Sequence, residues 1–269
     1  MQHQNQKESS REMFGQLEQL IYTNEEDIKS QKDEFSRQCI QTAEMAVYFV
    51  EHYPETISSI THTRELAKKL GVDEIHYFTP EGEIYAGTHP EYYGFTFHSG
   101  EQMEFFAPML ENRSLKLCQD ITPNTAKGKE MQYEAVWMTD GSGIVQIGME
   151  PRRLLQKLEE KSLPNVLAMM PFELNGYLHV VDKKTGKVIA STADNLIGTD
   201  MTKEISKYNR DTSINTFHYN FQGKRYCVYT KNSGDYILVR TYLSLYPIKE
   251  MFNSTVLILL YIILVSVSI

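Results

Sequence analysis

The sequence predicts an α+β protein: a long N-terminal helix, one module written twice, each copy an antiparallel sheet with flanking helices, and a transmembrane helix that begins near residue 254. Three observations carry this prediction. Good helix formers dominate the first fifty residues, and neither Pro nor a second Gly interrupts them between Gly15 and Pro54. Two stretches of the remaining chain can be laid one on the other. From Thr255 to Ile269 the chain reads TVLILLYIILVSVSI without a charge. The 269 residues hold 27 basic and 35 acidic side chains for a net charge of −8, and 41% are hydrophobic. That composition supports a folded core and excludes collagen-like, low-complexity and disordered chains. An acidic chain without clustered Lys and Arg also excludes nucleic acid as a partner.

Within the first helix, Phe14, Leu17, Ile21, Ile28 and Phe35 form an apolar seam, with Asn24 and Gln31 at the intervening seam positions. A 3.5-residue spacing suits a helix that meets a partner helix, and polar seam residues would fix its register. The alternative is a helix lying on its own domain. Further along, AEMAVYFVEHY becomes apolar nearly all round, as a buried helix does. The expected boundaries are a stalk and long helix over 1–53, a first module over 54–156, a second over 157–250, and the start of a membrane helix over 254–269. A span needs roughly 20 apolar residues, so the last segment reads as its beginning. MQHQNQKESS has no apolar stretch of the signal-peptide kind, so an exported protein would need an N-terminal anchor outside this sequence.

The repeat is the strongest structural signal. IHYFTPEGEIYAGTHPEYYGFTF from Ile75 aligns with LHVVDKKTGKVIASTADNLIGTDM from Leu178 after one inserted residue. His76 pairs with His179, Gly82 with Gly186, Ala86 with Ala190, Thr88 with Thr192 and Gly94 with Gly198. Each block reads strand, polar Gly turn, strand, loop. Later, YEAVWMTDGSGIVQIGM from Tyr133 lies without gaps against RYCVYTKNSGDYILVRT from Arg225, turn on turn at Asp140 and Asn232. Each of these is a hairpin, so the same α/β module occurs twice.

With DGSG as the first loop, Thr139 faces Ile144, Trp137 faces Gln146 and Val136 faces Ile147. Alternation then gathers Val136, Met138, Val145, Ile147 and Met149 on an apolar face that belongs under the long helix. The other face gathers Tyr133, Ala135, Trp137, Gln146 and Gly148. Aromatic walls beside a polar amide suit a small-molecule pocket, and they equally suit a second core layer. The same reading of the second hairpin puts Arg225, Cys227, Tyr229, Leu238 and Arg240 on its open face, where the arginines would accept an anion or pair with nearby acids. The three cysteines, Cys39, Cys118 and Cys227, show no metal-ligand spacing and suit buried apolar roles, with one bridge left open.

A long N-terminal helix, two tandem PAS-like modules and a following membrane helix resemble the double Cache extracytoplasmic sensor domain. LAKKLGVDEIHYFTPEGEIYAGTHPEYYGFTFHSGEQ with KEMQYEAVWMTDGSGIVQIGMEPRRLL is similar to the membrane-distal module of such sensors from Gram-positive, Clostridia-like bacteria. The resemblance implies an outward-facing small-molecule sensing domain of a membrane signal-transduction receptor, whose residues 1–250 are extracytoplasmic. It implies an output domain outside this chain, such as a histidine kinase, diguanylate cyclase, phosphatase or chemoreceptor hub. It also implies ligand binding in the first module, by amino acids, amines or organic acids. The Arg-x-Trp-Tyr run of the amino-acid-binding subgroup is absent, since NTAKGKEMQY stands there. Amino-acid specificity therefore does not carry over.

The ligand-contact candidates are Tyr85, Phe97, Gln102, Gln119, Tyr133, Trp137 and Gln146. Ser99 and Gln102 also suit a capping box at the start of a helix over the sheet. No catalytic residues are expected, because the chain holds no G-x-S-x-G elbow, P-loop, G-x-G-x-x-G or H-E-x-x-H. Neither a metal nor a cofactor is expected. His76 and His179 read as structural. The expected partners are a metabolite, a membrane and a second copy of the chain joined through the first helix. The rival reading is a membrane-anchored protein-interaction module whose pockets are filled by its own side chains.

Overall fold

The computed structural model describes residues 2–124, 128–170, 176–205, 213–221, 223–244 and 254–261. The predicted long helix is α1 (Gln2–His52). The chain divides into two compact units, Asp27–Leu158 and Met1–Glu26 with Glu159–Ile269, so each takes a share of α1.

In the unit Asp27–Leu158, Ser59 caps α2 (Ile60–Leu70) by accepting from His62 N, and Gly71 closes it at φ 73°, a left-handed conformation cheap only for glycine. A sheet follows, built from β1 (Glu74–Phe78), β2 (Ile84–Gly87), β3 (Lys116–Cys118), β4 (Thr122–Pro123), β5 (Glu130–Trp137) and β6 (Ile144–Met149). The strand order is β2-β1-β6-β5-β3, with β4 beside β5. The apolar face expected under the helix forms there: Val136, Met138, Val145 and Ile147 pack with Ile75 and Tyr77 against Ala43, Ala46, Val47 and Val50 of α1 and Leu66 of α2. Each fully buried Val or Ile contributes about 1.5–3 kcal/mol.

Three local expectations change. The β5–β6 register places Trp137 opposite Ile144 and Ala135 opposite Gln146. The loop starts one residue early because Glu51 Oε1 accepts from both the Thr139 amide and hydroxyl at 2.6 Å, which holds Thr139 in the turn. The slip is even, so both faces keep their residues. The end of α1 buries one face only, and Met45 and Tyr48 are exposed. Ser99 accepts from Thr96 N at 2.8 Å, and Gly100 stands at the N-cap of the short helix α3 (Glu101–Glu104), which frees Gln102 from a capping role.

The other unit repeats this plan. It carries α4 (Arg152–Glu160) from Glu159 on, α5 (Leu163–Ala168), β7 (Gly176–Asp182), β8 (Val188–Ser191), α6 (Thr202–Ile205), β9 (Asn215–Phe221), β10 (Lys224–Ser233) and β11 (Tyr236–Leu243). Its strand order is β8-β7-β11-β10-β9. The matched repeat positions make matched bonds. Thr88 Oγ1 accepts from Ile75 N at 3.1 Å, and Thr192 Oγ1 from Leu178 N at 2.9 Å. Gly94 N donates to Ile84 O at 2.8 Å, and Gly198 N to Val188 O at 2.7 Å. Both β1 and β7 carry a register shift at the same place, Tyr77/Phe78 and Val180/Val181.

Here the seam of α1 faces its own sheet: Phe14, Leu17 and Ile21 are buried with Leu178, Val180, Cys227, Tyr229 and Leu238. Asn24 is satisfied locally, its Nδ2 donating to Lys161 O at 2.6 Å. The face assigned to Arg225, Cys227, Tyr229, Leu238 and Arg240 is therefore the helix-covered face, and the anion site expected there is not open. Arg240 is buried, donates to Ser9 Oγ at 3.1 Å and lies over the Tyr242 ring. The cause is loop length. Ser233 pairs with Tyr236 across a two-residue turn, whereas the first hairpin spends four residues between Met138 and Gly143. An ungapped alignment is then out of step by an odd number of positions, and an odd slip exchanges the faces.

All three cysteines are free thiols. Residues 254–261 are helical, with Leu257, Ile258, Leu259 and Leu260 exposed. No helix among the described residues is long and apolar enough to cross a membrane, and the rest of the predicted membrane helix, 262–269, lies outside them.

Candidate functional site

Alternation along β1 sends Ile75 and Tyr77 to the α1 face and Glu74, His76 and Phe78 to the other, and all five are buried. Register then sets their neighbours: Glu74 lies opposite Gly148, and His76 opposite Gln146. Tyr133 also lies opposite Gly148, from the far side. Because Gly148 has no side chain, the Tyr133 ring reaches across it and donates its hydroxyl to Glu74 Oε2 at 3.0 Å. The same oxygen takes His76 Nε2 at 3.2 Å, and His89 Nε2 stands 3.8 Å from Oε1. Burial pushes the Glu74 carboxyl up, but the bonds from His76 and Tyr133 and the nearby His76 and His89 rings outweigh it, and the group titrates below its ordinary value. Burial and the Glu74 charge push the Tyr133 phenol up, so it stays a donor.

Glu74, His76 and Tyr133 floor a cavity of about 350 Å³, whose walls include Tyr92, Phe95 and Phe106, with Gln102, Asn124 and Gln146 among its polar lining. Of the sequence candidates, Gln102, Tyr133 and Gln146 line it together. Gln119 lies against the lining residue Gln102, donating from Nε2 to its carbonyl at 3.5 Å. The others are elsewhere. Phe97 is fully buried in the core beside Phe78, at 4.7 Å between rings. Trp137 donates Nε1–H to Met109 O at 3.0 Å beneath the Arg113 guanidinium and belongs to the second core layer. Tyr85 is 44% exposed, because its neighbour Ile84 takes the inward position on β2.

Sequence reasoning missed Glu74, His76, His89, Tyr92 and Asn124. The signal was present in VDEIHYF, where a carboxylate and an imidazole alternate in step with Ile75 and Tyr77 on a buried strand. Among the described residues no group of three side chains is arranged to hold a metal ion.

The second unit has a smaller cavity of about 180 Å³ in the equivalent place, with His179, Tyr177, Tyr219, Tyr226 and Thr241 in its lining. Its chemistry differs. Tyr177 occupies the repeat position of Glu74, and burial holds the His179 pKa down at about 4, so its ring is neutral near pH 7. His179 Nδ1 lies 2.8 Å from Ser191 Oγ. At the matching position the first unit has Gly87, and His76 Nδ1 is buried without a partner. A Cβ at 87 would stand 2.6 Å from Ile75 O, so a serine cannot be placed there without backbone movement.

No protein-family model matches the chain, and no curated protein matches it in sequence. Among solved structures, the ligand-binding domain of the Campylobacter jejuni chemoreceptor Tlp3 in complex with L-norvaline is 14% identical, with 89% of this chain and 92% of that chain covered at a TM-score of 0.43. The sensory domain of Tlp3 with isoleucine bound is 10% identical, with coverage of 87% and 94% and a TM-score of 0.43. The ligand-binding domain of the Pseudomonas fluorescens chemoreceptor CtaA in complex with L-isoleucine is 16% identical, with coverage of 89% and 96% and a TM-score of 0.38.

Proposed function

We propose that this chain is the extracytoplasmic small-molecule sensing domain of a membrane signal-transduction receptor of the double Cache kind, with its ligand in the first-unit cavity. The observation that carries the reading is that cavity: about 350 Å³ of space over a sheet, floored by Glu74, His76 and Gln146, which are each 5% exposed or less. A module that only binds proteins would gain by filling it, because buried polar groups without partners cost about 1–3 kcal/mol each. The ligands named for the Tlp3 and CtaA structures give the same class of function, a small metabolite held by a sensor domain.

In this reading the apolar helix that starts at 254 continues into the membrane and carries the signal to an output domain. A homodimer through α1 would use its outward side, where Leu20, Tyr22, Met45 and Tyr48 are exposed. The test is a thermal-shift screen against amino acids, amines, organic acids, purines and sugars. A ligand at 100 times its dissociation constant adds about 2.7 kcal/mol. A rise with one class that is lost in Gln146→Ala supports the sensor. A flat screen on cooperatively melting protein overturns it.

A further inference from the structure

Resting on the reading of the first-unit cavity as a ligand site, we propose that it takes a small organic cation, an ammonium set against Glu74, and not an acidic or zwitterionic ligand. Glu74 is the one carboxylate among the described lining residues, and neither Lys nor Arg is among them. An acidic ligand would meet that charge with neither Lys nor Arg to receive its own, the His76 ring being already engaged by Glu74. An amino acid could place its ammonium on Glu74, but its carboxylate would find amide donors such as Gln146 and neither Lys nor Arg to balance its charge, which is costly in a buried site.

The two carboxylate oxygens are not equivalent. Oε2 is committed to the Tyr133 hydroxyl and His76 Nε2. Oε1 has only the His89 ring, whose Nε2 at 3.8 Å is beyond hydrogen-bond distance and whose Nδ1 is engaged by Glu91 at 3.0 Å. Oε1 thus accepts from no donor on a residue that lines the cavity, and it is the oxygen available to a donor on the ligand. Two strands away from the edge, the Gln146 amide is 2% exposed and lines the same cavity, able to fix a second polar point on the ligand. The walls fit the same charge: Tyr92, Phe95 and Phe106 line the space, and an aromatic ring attracts an ammonium placed over its face. By contrast, the second-unit cavity carries Tyr177 where Glu74 stands and has no carboxylate among its described lining residues.

The experiment is isothermal titration of the chain with four probes matched in shape: 2-phenylethylamine, 2-phenylethanol, 3-phenylpropionate and phenylalanine. The expected result is that the amine binds roughly tenfold or more tightly than the other three, the size of one charged hydrogen bond. Glu74→Gln should erase that preference and Glu74→Asp should retain part of it. If Glu74→Gln fails to melt cooperatively, the order of the four probes on the unaltered chain decides. Equal or tighter binding of the alcohol, the acid or phenylalanine, lost in Gln146→Ala, overturns the cation and leaves the cavity as a ligand site. Binding of no probe in this series and of no class in the broad screen overturns both.

Discussion

The ring of Tyr133 lies across Gly148, so close that a Cβ at 148 would stand 2.5 Å from its Cε1. This contact lets a residue on β5 reach over β6 to bond Glu74 on β1. Gly148→Ala should displace the ring and cost about 1–3 kcal/mol in denaturant unfolding, as overpacking of a tight site does. Ligand affinity should fall with it. Tyr133→Phe separates the two effects, because it removes the bond to Glu74 and keeps the packing.

Trp137 supports the cavity from outside its lining. Trp137→Phe deletes the donor to the Met109 carbonyl and should cost about 1–3 kcal/mol of stability. Ligand affinity should stay within a factor of two or so, since no ligand contact is removed. A large loss of affinity in folded protein would put the indole in the site.

The two sides of α1 should respond differently to substitution. Leu17 is fully buried against its own sheet, so Leu17→Ala should lower stability by about 2–5 kcal/mol. It should leave the sedimentation behaviour of the folded fraction unchanged. Tyr48 and Met45 are exposed, so Tyr48→Asp should leave stability within about 0.5 kcal/mol. If α1 forms the dimer, Tyr48→Asp weakens self-association at equal protein concentration.

Two buried groups should bend the pH dependence of stability in opposite directions. His179 is held neutral by burial with a pKa of about 4. Its contribution is present above its ordinary value of 6.5 and is lost as pH falls from there toward 4, worth up to about 3 kcal/mol. His179→Gln should flatten that acid limb. Glu134 is fully buried, and burial raises its carboxyl pKa despite the thiols of Cys39 and Cys118 bonding to it. Its contribution is present below the ordinary carboxylate range and is lost as pH rises through the raised value. Glu134→Gln should therefore gain stability at alkaline pH relative to the unaltered chain, read from urea midpoints across pH.

Periodicity and repetition made most of the fold legible. The spacing of Phe14, Leu17 and Ile21 marked one face of a long helix. The matched His76/His179, Thr88/Thr192 and Gly94/Gly198 marked two copies of a strand pair, and the threonine and glycine pairs form matched bonds. The inner face of β5 and β6 was legible because side chains alternate regardless of where the turn falls. The site was legible only in part. Gln102, Tyr133 and Gln146 share the cavity, while Trp137 and Phe97 went to the core and Tyr85 to the surface. Aromatic rings suit a core and a pocket equally, so residue type alone does not separate them.

By itself, then, the sequence determined the local order: which segments are helices and strands, which are copies of one another, and which residues of a strand share a face. Those properties depend on neighbours a few positions apart. Only the tertiary structure decided what crosses between segments. It turned the α1 seam onto its own sheet, because a two-residue turn in the second hairpin set the face presented by β10 and β11. It also brought Glu74, His76, His89 and Tyr133 together, because registers between β1, β6 and β5 and the missing side chain of Gly148 set distances that no spacing along the chain encodes.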